Sequence, residues 1–420
     1  MKLNELKNKK IVILGFGREG KDTLLFLKKL FPKKKIGIAD QKFGKDYLDK
    51  IGDYDVIIKS PGIPFKILRT PDVRRITTQT EIFFDNCPGQ IVGITGTKGK
   101  STTASLCCAV LKSGGLKVHL VGNIGKPVLN LLFSATPKDI YVYELSSFQL
   151  TNLKKSPHIA VLLNIYQEHL DYYRNFKEYI NAKTNITRYQ KEGDFLVYNS
   201  ENKLVKEIAK KSKTELSQKA KAKKRIKFSS PAKKIAIKGD YYDLDKNAAR
   251  AVGKIFKIPE AKMEKAIKNF KPLPHRLELV GTFRGITFYN DSLATIPEAV
   301  ISALTLLSDK VETIFLGGFD RGLNFDELAR KVLKSKIKNI ILFPGSGQRI
   351  SEEIKKINKN AAIKSFFTDS MKEAVKLAYH HTQKGKICLL SCASPSFGLF
   401  KDYKERGNLF KKYVKFFGKN

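Results

Sequence analysis

The chain has 420 residues, with 79 Lys and Arg against 40 Asp and Glu and a formal net charge of +39. That length is too great for one ordinary core and predicts three domains, each able to bury an apolar interior. No apolar run approaches the ~18 to 20 residues of a membrane span, and five cysteines without paired spacing exclude a disulfide framework or a zinc finger.

The opening MKLNELKNKK leads straight into a strand pattern rather than an apolar signal core, so a cytoplasmic protein with reduced thiols and no membrane partner is expected. The lysines are spread over every segment, mostly on the polar faces of helical patterns. The densest run, Lys211 to Phe228, reads as a solvated loop or helix face. Without an aromatic-interleaved basic motif the charge predicts no nucleic-acid partner, while an excess of positive potential suits anionic nucleotide substrates.

Residues 1–88 alternate strand and helix patterns: KIVILGFG, DTLLFLKKLF, KIGIAD and DVIIKSPGIP. Such alternation indicates a parallel, Rossmann-like sheet. The first strand runs into Gly15, Gly17 and Gly20, a G-x-G-x-x-G turn, and Asp40 ends the second strand where a ribose-binding acid would sit. Alone this suggests a dinucleotide, yet it equally suits any diphosphate placed on a helix N-terminus. A second nucleotide signal about eighty residues later favours a phosphate-bearing substrate at the first.

That second signal, GITGTKGKST from Gly93 to Thr102, opens the segment 89–272. A glycine-rich turn between an apolar strand and a helix lets backbone N–H groups converge on phosphate oxygens. Lys100 can reach the terminal phosphates and Ser101 can ligate Mg²⁺. The general phosphate-loop pattern wants glycine at position 94, where this chain has isoleucine. Later strands end in polar residues: IYVYELSSFQL ends at Glu144, followed by Ser146, Ser147 and Gln149, and NIYQEHLDYY carries His169 and Asp171. Ligands bind at the carboxyl ends of parallel strands, so Glu144 is a candidate for Mg²⁺ and His169 a candidate ligand. Lys183, in INAKTNI, reads from the residues alone as one more solvated lysine. From Asp194 short β-rich pieces follow, DFLVYNS, RIKFS and KKIAIKG, and then the helical stretch DLDKNAARAVGKIF.

The two prolines of KPLPH mark the last boundary, and residues 273–420 form a third α/β segment with the strands GITFYND, ETIFLGG, NIILFPG and KICLLSCA. Polar residues in its Gly- and Pro-broken loops are functional candidates.

In order and spacing these motifs resemble the muramyl ligase family, most closely its glutamate-adding branch. The matches are GITGTKGKST, GNIG at 122–125, ELSSFQL at 144–150, EHLDYY at 168–173, Ala182-Lys183, LPHR at 273–276, NDS-x-AT at 290–295, GG-x-D at 317–320 and ERGN at 405–408. The resemblance implies an ATP-dependent ligase of peptidoglycan precursor synthesis that joins D-glutamate to UDP-N-acetylmuramoyl-L-alanine through an acyl phosphate. It implies a Rossmann-like domain at 1–88 for the UDP part, a phosphate-loop ATPase domain at 89–272, and a Rossmann-like glutamate domain at 273–420. Phe16, Gly17, Arg18, Asp40, Gln41, Lys42, Asn123, Ser146 and Gln149 would line the UDP-substrate site. Gly96, Thr97, Lys98, Gly99, Lys100, Ser101, Thr102, Asn247, Arg276 and Asp291 would bind ATP. Thr295, Arg321, Ser396 and Tyr403 would bind glutamate. Lys100, Glu144, His169 and Lys183 would be catalytic, with two Mg²⁺ ions on Ser101 with Glu144 and on His169 with an N-carbamylated Lys183. A monomer is expected.

Some positions depart from the family pattern. Leu293 stands where NDSKAT has lysine, Arg321 where lysine is common, and Asp243-Leu244 where a His-Asn pair flanks adenine. PSFGLF is similar to relatives that add L-glutamate, which makes an L-glutamate ligase the first alternative. Folylpolyglutamate synthesis is a weaker alternative, disfavoured by the N-terminal segment, which that branch lacks. A nucleic-acid-binding NTPase, suggested by charge, and a dinucleotide oxidoreductase, suggested by the glycine fingerprint, are the others.

Overall fold

Runs such as IVIL and VIIK are apolar at successive positions rather than alternate ones, the pattern of strands covered on both faces. In the computed structural model, which describes residues 1–44, 46–49, 51–65, 68, 76–169, 172–214, 224–228 and 243–419, they build three sheets. In the first, β1 (Ile11–Leu14), β2 (Ile36–Ala39), β3 (Val56–Lys59) and β4 (Ile76–Thr77) lie in the order β2-β1-β3-β4, all parallel. The second contains β5 (Gln90–Thr95), β6 (Val118–Gly122), β7 (Ile140–Glu144), β8 (Ile159–Leu162), β9 (Phe195–Asn199) and β10 (Lys224–Phe228). It is also parallel throughout, in the order β10-β9-β8-β5-β7-β6. The third orders β11 (Glu278–Phe283), β12 (Ile286–Asn290), β13 (Val311–Gly318), β14 (Asn339–Gly345), β15 (Lys364–Phe367) and β16 (Ile387–Leu390) as β11-β12-β16-β13-β14-β15. Only its β11–β12 pair is antiparallel. This is the α/β class expected. The strand read in KKIAIKG, like Asp171, lies outside the described residues.

The helices of the first two segments are α1 (Arg18–Leu30), α2 (Gln79–Asn86), α3 (Lys100–Ser113), α4 (Ser147–Leu150), α5 (Phe176–Arg188), α6 (Lys203–Thr214), α7 (Asp243–Ile255) and α8 (Glu260–Lys268). Those of the third are α9 (Pro297–Leu307), α10 (Asp326–Leu333), α11 (Ser346–Ile357), α12 (Met371–His381) and α13 (Tyr403–Lys419). None of the described helices is long and apolar enough to cross a membrane.

The described residues separate into two compact units, the first ending at Phe270 and the second beginning at Lys271. The first unit takes in two sheets because they share a core. Ile11, Ile13, Phe26 and Ile58 belong to the same apolar cluster as Phe83, Tyr141, Tyr143 and Leu162, and Phe83 meets Tyr141 edge-on at 5.1 Å. The far face of the second sheet is covered by α3, α7 and α8 through Leu106, Val110, Val252 and Met263. In the second unit Phe288, Phe315, Phe343, Val375 and Phe410 form the corresponding core. Cys107, Cys108, Cys388 and Cys392 are buried free thiols, and burial raises the thiol pKa of each.

Candidate active site

The loop between β5 and α3 is shaped by its neighbours rather than by its own side chains. Gly99, the N-cap of α3, has φ +87°, and a Cβ there would stand 2.6 Å from Asp245 Oδ1, so only glycine fits. Asp245, buried on α7, also accepts a hydrogen bond from Thr103 Oγ1 at 2.6 Å and thereby braces the first turn of α3. On the other side Asn164, just beyond β8, accepts from Lys98 N (2.8 Å) through its side chain and from Thr97 N (2.8 Å) through its backbone carbonyl. Lys100 Nζ donates to the carbonyls of Gly96 (3.0 Å) and Thr97 (2.9 Å), folded over the loop that it would leave to meet a phosphate. Gly99 supplies no side-chain cap to α3, and the positive end of a helix favours an anion.

Lys183 is 1 % exposed, contrary to the solvated reading. The reason is α5, an amphipathic helix whose buried face carries Tyr179, Ala182, Lys183 and Ile186. Lys183 Nζ donates to Gly96 O at 2.8 Å and to Thr95 Oγ1 at 3.4 Å. Burial, aided by the charge of Lys100, holds its amine well below the ordinary lysine range. Glu168 lies beside it. Burial opposes ionisation of that carboxyl, but Lys98, His169, Lys100 and Lys183 outweigh burial and hold it at about 2. Lys98 Nζ is 3.3 Å from Glu168 Oε1, and His169 Nε2 is 3.6 Å from Oε2. His169 has φ +61°, an uncommon conformation for a non-glycine residue, with its ring against Phe148 at 4.7 Å.

Glu144 ends β7 and is 1 % exposed. Asn123 Nδ2 donates to its Oε1 at 3.4 Å, while Oε2 has no hydrogen-bond partner among the described residues. A buried carboxylate oxygen in that state is a place for a cation. Among the described residues no cluster of three or more His, Cys, Asp or Glu could hold a metal by itself. A hydroxyl and nucleotide oxygens would have to complete any Mg²⁺ shell at Glu144. Lys183 could join a metal site only through a neutral amine nitrogen or through the oxygens of an N-carbamate, since an ammonium has no lone pair.

A cavity of about 490 Å³ in the first unit gathers Gly17, Arg18, Lys100, Asn123, Ser146, Gln149, His169 and Lys183, all expected from the sequence. Glu19, Ser60, Gln79, Phe148, Glu168 and Tyr179 line it too, without having been assigned a role. Asp40, at the end of β2, uses its carboxylate locally, accepting from Phe16 N (2.5 Å) and Lys42 N (2.9 Å), bonds that lower its pKa. It thus fixes the turns carrying Phe16, Gln41 and Lys42. Ser146 and Gln149 likewise form a reciprocal capping box on α4.

Asn247 lies on α7, where its Oδ1 accepts from Arg250 at 3.0 Å. Arg276, Asp291, Thr295, Arg321, Ser396 and Tyr403 belong to the second unit. There Asp291 bridges Leu277 N (3.1 Å) and Ser391 Oγ (2.9 Å), and Tyr403 O accepts from Ser292 Oγ at 2.8 Å. Arg406, fully buried, donates to Ser292 Oγ and to the carbonyls of Ser292 and Ser394, tying together two of the loops that carry these residues. Sequence reasoning missed Asn164, Glu168, Asp245 and Arg406. Asn164 alone gave a signal, the same polar strand ending that identified Glu144.

The sequence profile of the Mur ligase middle domain matches residues 94–267, and that of the Mur ligase glutamate ligase domain matches 275–393. A UDP-N-acetylmuramoylalanine--D-glutamate ligase of Acetivibrio thermocellus is 33% identical over 98% of both chains, and one of Clostridium tetani 31% identical over 98% of both. The chain belongs to the Mur ligase family. Solved structures agree on the fold of this Mur ligase. MurF of Acinetobacter baumannii superposes with a TM-score of 0.62 at 14% identity, covering 82% of this chain and 84% of that one. A MurF ligase of Thermotoga maritima in complex with ADP gives 0.58 at 16% identity over 98% and 96%.

Proposed function

We propose that this Mur ligase adds D-glutamate to UDP-N-acetylmuramoyl-L-alanine at the expense of ATP, in peptidoglycan precursor synthesis. The observation that carries the reading is the meeting of Lys100, Lys183, Glu168 and His169 in one cavity with Gly17 and Arg18 of the first glycine turn. A phosphoryl donor and a diphosphate-bearing acceptor would there be within reach of each other. The D-glutamate ligases named above, similar over nearly the whole chain, favour this over the L-glutamate alternative. The oxidoreductase and nucleic-acid readings lose their motive once the phosphate loop and its surroundings are accounted for.

The acceptor carboxylate attacks the γ-phosphorus of ATP and ADP leaves, giving an acyl phosphate. The glutamate amine then attacks the acyl carbon, loses a proton, and expels phosphate to form the amide. In the first step Lys100 leaves the Gly96 and Thr97 carbonyls to neutralise the transferring phosphoryl group, and the N–H groups of Gly96 to Thr102 cradle the phosphates. Asn247 in the first unit and Arg276 and Asp291 in the second are the further residues proposed to contact the nucleotide. Phe16, Gly17, Arg18, Asp40, Gln41, Lys42, Asn123, Ser146 and Gln149 hold the UDP-linked acceptor, with Asp40 also bracing Phe16 and Lys42 through their backbone N–H groups. Thr295, Arg321, Ser396 and Tyr403 orient glutamate.

Ligases of this family use ATP and Mg²⁺. Ser101 with Glu144 would hold one ion and His169 with carbamylated Lys183 a second, supplying charge neutralisation on phosphate oxygens. The orphan Oε2 of Glu144 supports the first. For the second, burial lowers the pKa of the Lys183 amine, and in its neutral form that amine can add to the carbon of CO₂ and release a proton, leaving an anionic oxygen donor. The domain roles follow as 1–88 for the UDP part, 89–272 for ATP and 273–420 for glutamate, acting in a cytoplasmic monomer. Phosphate release requiring ATP, UDP-N-acetylmuramoyl-L-alanine and glutamate together tests the reading. Release with the acceptor omitted would refute it.

A further inference from the structure

Glu19 is the acidic residue that the first sheet's segment contributes to the cavity wall. It is the second residue of α1, whose N-cap Gly17 makes no side-chain cap, so the first-turn N–H groups can take an anion. Gly20 holds that turn tight, since a Cβ there would lie 2.1 Å from Gly15 O. Glu19 Oε1 accepts from Gln149 Nε2 at 2.8 Å. At its other end Gln149 Oε1 accepts from Ser146 N (2.9 Å) and Ser146 Oγ (3.1 Å), so the buried amide is engaged at both ends and its rotation is blocked. The same turn of α1 makes two more ties to the second sheet's loops, Arg18 to Gly125 O and Asn130 Nδ2 to Asp22 Oδ1 at 2.7 Å.

We propose that Glu19 is a positioning and specificity-determining residue: it locks Gln149 and the Ser146 turn toward the acceptor, and it accepts a diphosphate on α1 only with its carboxyl protonated. This rests on the reading that a UDP-linked acceptor enters the cavity. An ionised Glu19 would place a negative charge beside the diphosphate at the same helix terminus, where both compete for the positive end of the dipole. Glu19 is faced by Arg18 and Asp22 on its own helix, Lys59 from β3, the Tyr143 phenol from β7, and Gln149 from α4. Burial pushes its carboxyl up to about 7 against the Gln149 bond and the charges of Lys59 and Arg18. Burial also lowers Lys59 to about 8, opposed by Glu19. Acceptor affinity should therefore be flat below neutrality and fall as the pH rises through Glu19's titration. Binding above that point takes one proton from solvent onto the carboxylate.

The test is calorimetric titration of UDP-N-acetylmuramoyl-L-alanine into the whole protein, in two buffers of different ionisation enthalpy, with acceptor KM followed from about pH 6.5 to about 8.5. The wild type should take up most of a proton at the upper pH, its KM rising toward tenfold per unit. Glu19→Gln, which keeps an acceptor for Gln149, should bind without uptake and show a flat KM profile, while Glu19→Ala should raise KM at every pH. Equal proton uptake by wild type and E19Q would overturn the assignment and leave the ligase reading standing. Failure of the wild type to bind the acceptor at all would instead sink the ligase reading beneath it.

Discussion

Lys183 is nearly fully buried, bonded to a backbone carbonyl of the phosphate loop, in a chain where 79 residues are Lys or Arg. Nothing in composition or spacing distinguishes it from the solvated lysines. The resemblance pointed to it, and the burial that sets it apart depends on α5 packing against β5. Lys183→Ala should lower kcat by about 10²- to 10³-fold, and a short carboxylate added to the assay should restore part of the loss. Unchanged phosphate release would contradict the metal-ligand role. Lys100→Ala should cost a similar factor in kcat with less change in acceptor binding, measurable by steady-state kinetics on both substrates. Glu144 was legible for a physical reason: a charged residue ending an apolar parallel strand stands at the edge where ligands bind. Glu168 and Asp245 were not, because their roles come from partners such as Lys98 and Thr103, far away in the chain.

At the scale of the element, the loop from Gly96 to Gly99 is held between α7 and the end of β8. Gly99→Ala would force a Cβ against Asp245 at a positive φ, at a cost of about 1–3 kcal/mol and with weaker ATP binding. Thermal denaturation with and without ATP reads both effects, and an unshifted midpoint would count against the bracing described. The β6–β7 edge has a similar anchor in Asp139, fully buried, which accepts from Lys117, His119 and Thr136. Burial opposes its ionisation, but these bonds prevail and hold the carboxyl well below the usual range. A depressed carboxyl contributes stability above the unfolded pKa of about 3.9, and that contribution is lost as the pH falls through the folded value. Asp139→Asn should therefore destabilise the protein by about 1–3 kcal/mol at neutral pH and flatten the acid limb of its stability profile. The strands and most helices were readable because periodicity and glycine turns are local. The capping box of Ser146 and Gln149 and the clamp of Asp40 needed coordinates, since a polar residue bonding its own backbone looks in sequence like one awaiting a ligand.

Over the whole molecule, three α/β sheets were legible from alternation and chain length, while their grouping was not. The shared cluster of Ile13, Phe83 and Tyr143 joins the first two sheets into one unit, and apolar strands in a sequence do not reveal which sheet covers them. Residues proposed for the acceptor and the phosphate loop fall in that unit, while Arg276 and Asp291, proposed for the nucleotide, and those proposed for glutamate fall in the other. The most direct measurement is phosphate release with ATP, Mg²⁺ and UDP-N-acetylmuramoyl-L-alanine, comparing D-glutamate, L-glutamate and no amino acid. Sustained release with D-glutamate alone is the predicted result. Release with L-glutamate and not its enantiomer, or release indifferent to both, would contradict the account.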